Sequence, residues 1–127
     1  MADVNRGNRP LSPHLTIYRP QLTSMSSIMV RITGIGCLFL TPLIVVWLLT
    51  ASISEGAFGA IDGVMRSFVG DVILVAGAWA LVYHMLGRLR HVLWDFGYCV
   101  ETAISEKLAI GMFALATIAA VAVAVFA

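Results

Sequence analysis

Between Arg31 and Glu55 the chain carries no Asp, Glu, Lys or Arg, and Ile32–Ser54 is almost continuously apolar. As a helix rising about 1.5 Å per residue, this run reaches across a hydrocarbon layer of about 30 Å. A soluble domain would have to enclose such a helix on every side, and small domains leave much of their surface exposed. The rest of the chain offers no polar cover. Of 127 residues, 60% are hydrophobic and 12% charged, whereas a soluble domain is about half apolar and about a quarter charged. Lipid is the solvent this sequence fits.

Two further runs repeat the pattern. Val72–Gly87 is uncharged but short; it reaches a full span if the helix starts near Ser67 and carries Arg88 and His91 out through the interface by snorkelling. Leu108–Ala127 is uncharged and rich in Ala and Val, small residues that let helices approach closely. The sequence thus predicts an all-α membrane protein with a single domain over 1–127. An extended arm over 1–22 precedes transmembrane helices at about 24–52, 67–92 and 106–127. Pro10, Pro13 and Pro20 favour extended or turn geometry in the arm. Thr23 or Ser24 is the expected cap of the first helix, and Pro42 the expected site of a kink. Gly34 and Gly36 are expected at close helix contacts, and Met25, Met29 and Met85 as fillers of packing gaps.

Basic residues set the orientation. Arg6, Arg9, Arg19 and Arg31 precede or open the first span, and Arg88, Arg90 and Lys107 lie between the second and third. The first connection holds only Arg66, against Glu55, Asp62 and Asp71. The N-terminus and second connection are therefore expected on the cytoplasmic side, or the matrix side in a mitochondrion, and the first connection and the C-terminus across the membrane. A net charge of +1 without a dense basic cluster implies no nucleic-acid partner. Cys37 and Cys99 form no CxxC and read as packing residues. No phosphate loop, and no nucleophile with its base, is present in the sequence.

His84 is the first candidate for chemistry, because ionisable side chains inside spans are rare and usually functional. It reads either as a buried histidine donating to a carbonyl on a neighbouring helix, or as a haem or metal ligand or proton relay. Prosthetic groups in helical bundles are held from facing helices, which suits a haem iron. His91 lies two turns further on the same side, about 10 Å along the axis, so the two cannot ligate opposite faces of one iron. Among Arg88, Arg90, Trp94 and Asp95, His91 reads as an interfacial residue, and His14 as a surface contact of the arm. A second axial ligand would then come from another chain. Ser27 and Arg31, four residues apart on one face, form the second candidate. Arg31 reads as a snorkelling anchor, or with Ser27 as a polar pocket donating to a quinone carbonyl or a haem propionate.

These segments resemble a known family. Arg9-Pro10-Leu11-Ser12-Pro13-His14-Leu15-Thr16-Ile17-Tyr18, Ser27 to Arg31 and Thr33-Gly34 are similar to the N-terminal signature of the cytochrome b (b556) large membrane-anchor subunits of succinate dehydrogenase. Tyr83-His84 and Arg90-His91-Val92-Leu93-Trp94-Asp95-Phe96-Gly97 are similar to the second signature. The resemblance implies a multi-pass anchor in the bacterial inner membrane, bundled with a smaller second anchor subunit. It also implies partner flavoprotein and iron–sulfur subunits, which carry the FAD and iron–sulfur clusters. His84 would ligate haem b opposite a histidine of the second anchor, and Ser27 and Arg31 would line the ubiquinone site. Two departures stand out. Val30 occupies a place where the family commonly has histidine, and Arg88 one where it often has glycine, with Gly87 one residue earlier. A haem-free structural anchor, an anchor of a menaquinone-linked fumarate reductase and a proton-coupled transporter are the alternative readings.

Overall fold

The computed structural model describes residues 17–126, and these form four α-helices: α1 Leu22–Ile53, α2 Glu55–Met65, α3 Phe68–Asp95 and α4 Thr102–Phe126. Helices α1, α3 and α4, of 32, 28 and 25 residues, are long and apolar enough to cross a membrane. At about 1.5 Å per residue even the shortest exceeds the hydrocarbon thickness. The protein is an all-α membrane helical bundle.

Local chemistry sets where each helix begins and ends. Helix α1 starts at Leu22 with Gln21 at its N-cap and no side-chain cap. Neither Thr23 nor Ser24 caps it; the Ser24 hydroxyl donates to the Gln21 carbonyl at 2.8 Å and accepts from Tyr18 at 3.1 Å. The helix continues through Pro42 to Ile53. Ser54 then accepts from the Ala57 amide and opens α2, an 11-residue helix within the connection that the hydropathy pattern did not foretell. Ser67 caps α3 through the Gly70 amide. Gly70 is required by the tight α2–α3 turn, because a Cβ there would collide with the Met65 backbone. At the other end of α3, Gly97 adopts φ +77. Its amide binds the Trp94 carbonyl at 2.8 Å and the Tyr98 amide the Leu93 carbonyl at 2.9 Å, the paired bonds of a Schellman stop.

Helix α3 packs along both α1 and α4, which touch each other less. The centre of the core is Tyr83, fully buried among Val30, Met112 and Ala116. Its ring stacks on Trp79 at 5.0 Å and meets Phe113 at 4.7 Å. Helix α4 offers a seam of small and thin residues at helical spacing, Ser105, Ala109, Met112, Ala116 and Ala120, all buried. This seam lets α4 approach α3 closely, as van der Waals packing in lipid requires. Met29 packs on the core, but Met25 and Met85 are exposed. Gly36 has no neighbour that a Cβ would meet within 4 Å, so of the two glycines of α1 only Gly34 marks a close approach.

Candidate functional site: a cationic groove between the first and third helices

The polar side chains of α1 and α3 converge near the end of the bundle that holds the N-terminus of α1. The anchor of this region is Tyr83, whose hydroxyl donates to the Ser26 carbonyl at 3.2 Å, tying α3 to α1. One turn before it on α1 lies Thr23, whose carbonyl accepts from both Ser26 and Ser27 hydroxyls, at 2.9 and 3.1 Å. Arg90 approaches from α3, only 2% exposed. Its Nη1 donates to Ser26 Oγ at 2.6 Å and its Nη2 to Ser27 Oγ at 3.3 Å. The guanidinium carbon lies 4.6 Å from the centre of the Trp94 ring, a cation–π contact. No Asp or Glu pairs with Arg90 among the described residues.

Beside this network a groove of about 500 Å³ opens between α1 and α3. Ser27, Arg31 and Gly34 line it from α1, and His84, Arg88 and His91 from α3; Val30, Ile35 and Leu38 supply its apolar wall. His84 is fixed in two ways. Its Nδ1 lies 2.9 Å from the Val30 carbonyl, which can only accept, so Nδ1 carries the proton and Nε2 the lone pair. Its ring lies against Gly34, where a Cβ would stand 2.8 Å from Cε1. The cradle is one that glycine alone leaves open. Arg88 donates from Nε to His84 Nε2 at 3.3 Å.

The structure thus brings together the three residues singled out from sequence, Ser27, Arg31 and His84, in one groove. The carbonyl bond expected of a merely packed histidine is present, and it leaves Nε2 facing the groove. His91 lines the same groove, although sequence reasoning set it apart at the interface. Its Nδ1 binds the Gly87 carbonyl of its own helix at 2.8 Å, and its ring meets Trp94 edge-on at 5.2 Å. From sequence, Arg90 reads as an orienting charge, a neighbour of His91 at the interface and a member of the second signature, and nothing in its spacing signals burial. His14 lies outside the described residues. Cys37 and Cys99 are both free thiols.

Chemically, the groove offers an oriented imidazole lone pair, a serine hydroxyl and two guanidinium groups, with apolar walls. Among the described residues no three His, Cys, Asp or Glu side chains converge as ligands for a bare metal ion. One oriented imidazole lone pair beside two guanidinium groups fits instead a group that brings most of its own metal ligands and carries anionic substituents.

Three long apolar helices, two of them flanking a polar groove near one end, define a multi-pass membrane protein. The chain belongs to the succinate dehydrogenase/fumarate reductase transmembrane subunit family, whose model matches residues 5–125. It is 48% identical over 121 residues to a succinate dehydrogenase cytochrome b556 subunit from Paracoccus denitrificans, covering 95% of this chain and 93% of that protein. A cytochrome b556 subunit from Rickettsia typhi is 38% identical over 90 residues, 71% of this chain and 69% of its own. A cytochrome b560 subunit from Reclinomonas americana is 39% identical over 100 residues, 74% of this chain and 69% of its own.

Proposed function

We propose that this chain is the membrane anchor that holds haem b between itself and a second anchor subunit, and that it forms part of the ubiquinone-reduction site of succinate dehydrogenase. The observation that carries the reading is His84: an intramembrane imidazole whose Nδ1 is held by the Val30 carbonyl and whose Nε2 faces a groove lined by Arg31 and Arg88. A carbonyl partner on one ring nitrogen fixes the tautomer and orientation of a ligating histidine. Haem supplies one-electron chemistry when bound. His84 Nε2 is the ligand this chain would contribute, and because His91 projects from the same side of the same helix, a second ligand would come from the partner anchor.

Ser27 and Arg31 serve the quinone. The Thr23 carbonyl also accepts from Ser26, so the Ser27 hydroxyl can turn away from it and donate into the groove at little cost. Arg90 Nη2 fills an acceptor site on the same oxygen, which leaves Ser27 poised as a donor. Arg31, exposed at the groove, stabilises negative charge that develops on a quinone oxygen. The basic residues ahead of α1, with Arg88 and Arg90 late in α3 and Lys107 early in α4, favour an N-terminus on the cytoplasmic face of a bacterial inner membrane and a C-terminus in the periplasm. The iron–sulfur and flavoprotein partners then dock on the cytoplasmic face, beside the groove.

The test is spectroscopic. In the purified complex, His84→Leu is expected to abolish or alter the low-spin haem spectrum, whereas His91→Leu leaves axial ligation intact. The opposite pattern overturns the assignment, and a parent complex that purifies without haem favours the haem-free structural anchor.

A further inference from the structure

Arg88 has no part in the function as proposed so far, and its geometry assigns it one. It stands one helical turn beyond His84 on the same face, with its Nε 3.3 Å from His84 Nε2. An imidazole that holds its proton on Nδ1 has a single lone pair on Nε2. That lone pair can serve the guanidinium or an iron, not both. A metal bound at His84 therefore obliges Arg88 to find another acceptor.

The surroundings restrict what that acceptor can be. The groove is lined by two guanidinium groups, Arg31 and Arg88, and two imidazoles, with no Asp or Glu among its lining residues. A guanidinium at membrane depth is costly unless it is paired or reaches the interface. Its planar fork matches a carboxylate in a bidentate way, which a point-charge ammonium does not. The anion that arrives together with an iron at His84 is a carboxylate of the tetrapyrrole itself.

We propose that Arg88 is a carboxylate-binding residue of the tetrapyrrole site, exchanging His84 Nε2 for a carboxylate of the same group whose iron His84 holds. This rests on the haem reading of His84 given above. It assigns a second function to the helical turn after the ligand: the residue four places on neutralises the group's charge and fixes its rotation about the iron–histidine axis. A cation held at that edge also favours the reduced iron, which carries one positive charge fewer.

The experiment uses the whole complex and reads haem per flavin, the low-spin spectrum and the haem midpoint potential in the parent and in Arg88→Gln. The expected result is full haem, an unchanged low-spin spectrum and a potential displaced in the negative direction. Full haem with the parental potential overturns the proposal and leaves Arg88 to a lipid phosphate. If Arg88→Gln fails to assemble, Arg88→Lys decides through the resonance Raman band of propionate bending. A band shifted from the parent supports the proposal, because a fork has become a single donor; an identical band overturns it. A haem-free parent complex, or a normal spectrum in His84→Leu, removes the underlying reading and is distinguishable from either result.

Discussion

At Gly34 a single added carbon would stand 2.8 Å from His84 Cε1, closer than a Cβ tolerates, and the ring cannot retreat without lengthening its 2.9 Å bond to the Val30 carbonyl. Two effects of Gly34→Ala oppose each other. Helix propensity gains about 1 kcal/mol, and one hydrogen bond of about 1 kcal/mol is strained or lost. Stability should therefore hardly change, while the orientation of His84 does. The expected outcome is a complex of near-parental thermal midpoint with a perturbed low-spin haem spectrum; a parental spectrum would mean that the cradle is not selective. Ser27 and Arg31 call for a different measurement. Removing one donor to developing charge costs on the order of 100-fold in turnover in well-ordered sites. Ser27→Ala and Arg31→Gln should each lower succinate–quinone reduction at least about tenfold on that scale, with succinate oxidation by an artificial acceptor at the flavoprotein preserved. Equal losses in both assays would indicate failed assembly, and parental quinone reduction would remove the residue from the site. All three of these side chains were legible in the sequence for one reason: each is polar and lies inside, or opens, an otherwise apolar run. Val30 is subtler. It packs on Gly87, where a Cβ would collide with its Cγ2, so valine at position 30 and glycine at position 87 are two halves of one contact.

Among the elements, α1 and α3 are joined at their polar ends by Arg90. Its burial was illegible because it depends on Ser26 and Trp94, one on another helix and one a turn away, and a count of charges sees only a cation near a span end. Arg90→Met should destabilise the α1–α3 contact by about 2 kcal/mol, since hydrogen bonds to charged groups are worth about 1.5–3 kcal/mol and relief of desolvation returns part of that. Ser26 keeps its bond to the Thr23 carbonyl in either case. The expected readout is a lowered thermal midpoint of the solubilised complex with haem still present; an unchanged midpoint would show that the buried cation contributes nothing net. The spans themselves were legible from gaps between charges, because lipid excludes charge more strictly than any propensity acts. Their limits were not. Helix α4 starts at Thr102 rather than near 106, since Glu106 and Lys107 fit its first turns outside the apolar stretch. Helix α2 escaped notice because Gly56, Gly59 and Gly63 weaken its helical signal. Its support is partly tertiary, with Trp47 of α1 donating to Asp62 Oδ1 at 3.3 Å, and partly local, with Arg66 pairing one turn back to Asp62 Oδ2 at 2.9 Å.

For the whole molecule the decisive feature is how little of the first span the chain covers by itself. Leu38, at the groove, is 69% exposed and Phe39 beside it 73%. Apolar exposure costs nothing in lipid, so those residues alone demand no partner. The groove does. It places Arg31 and Arg88 at the mouth of an open, apolar-walled cleft, and a cation within a span costs roughly 2.5–3.5 kcal/mol at the bilayer centre, less toward the interface. Two such groups in one cleft are tolerable when another surface closes it and supplies anions or acceptors. On the proposed haem reading, a second histidine ligand would also have to come from outside this chain. We therefore expect the chain expressed alone in membranes to be unstable or haem-free, and co-expression with the second anchor subunit to restore both abundance and haem. Immunoblotting of membranes reads the first and a haemochrome assay the second. A lone chain that accumulates in membranes at the level of the co-expressed one, with full haem, would show that the groove closes by itself or between copies of this chain, and a cross-linking measurement of its oligomeric state would then tell which.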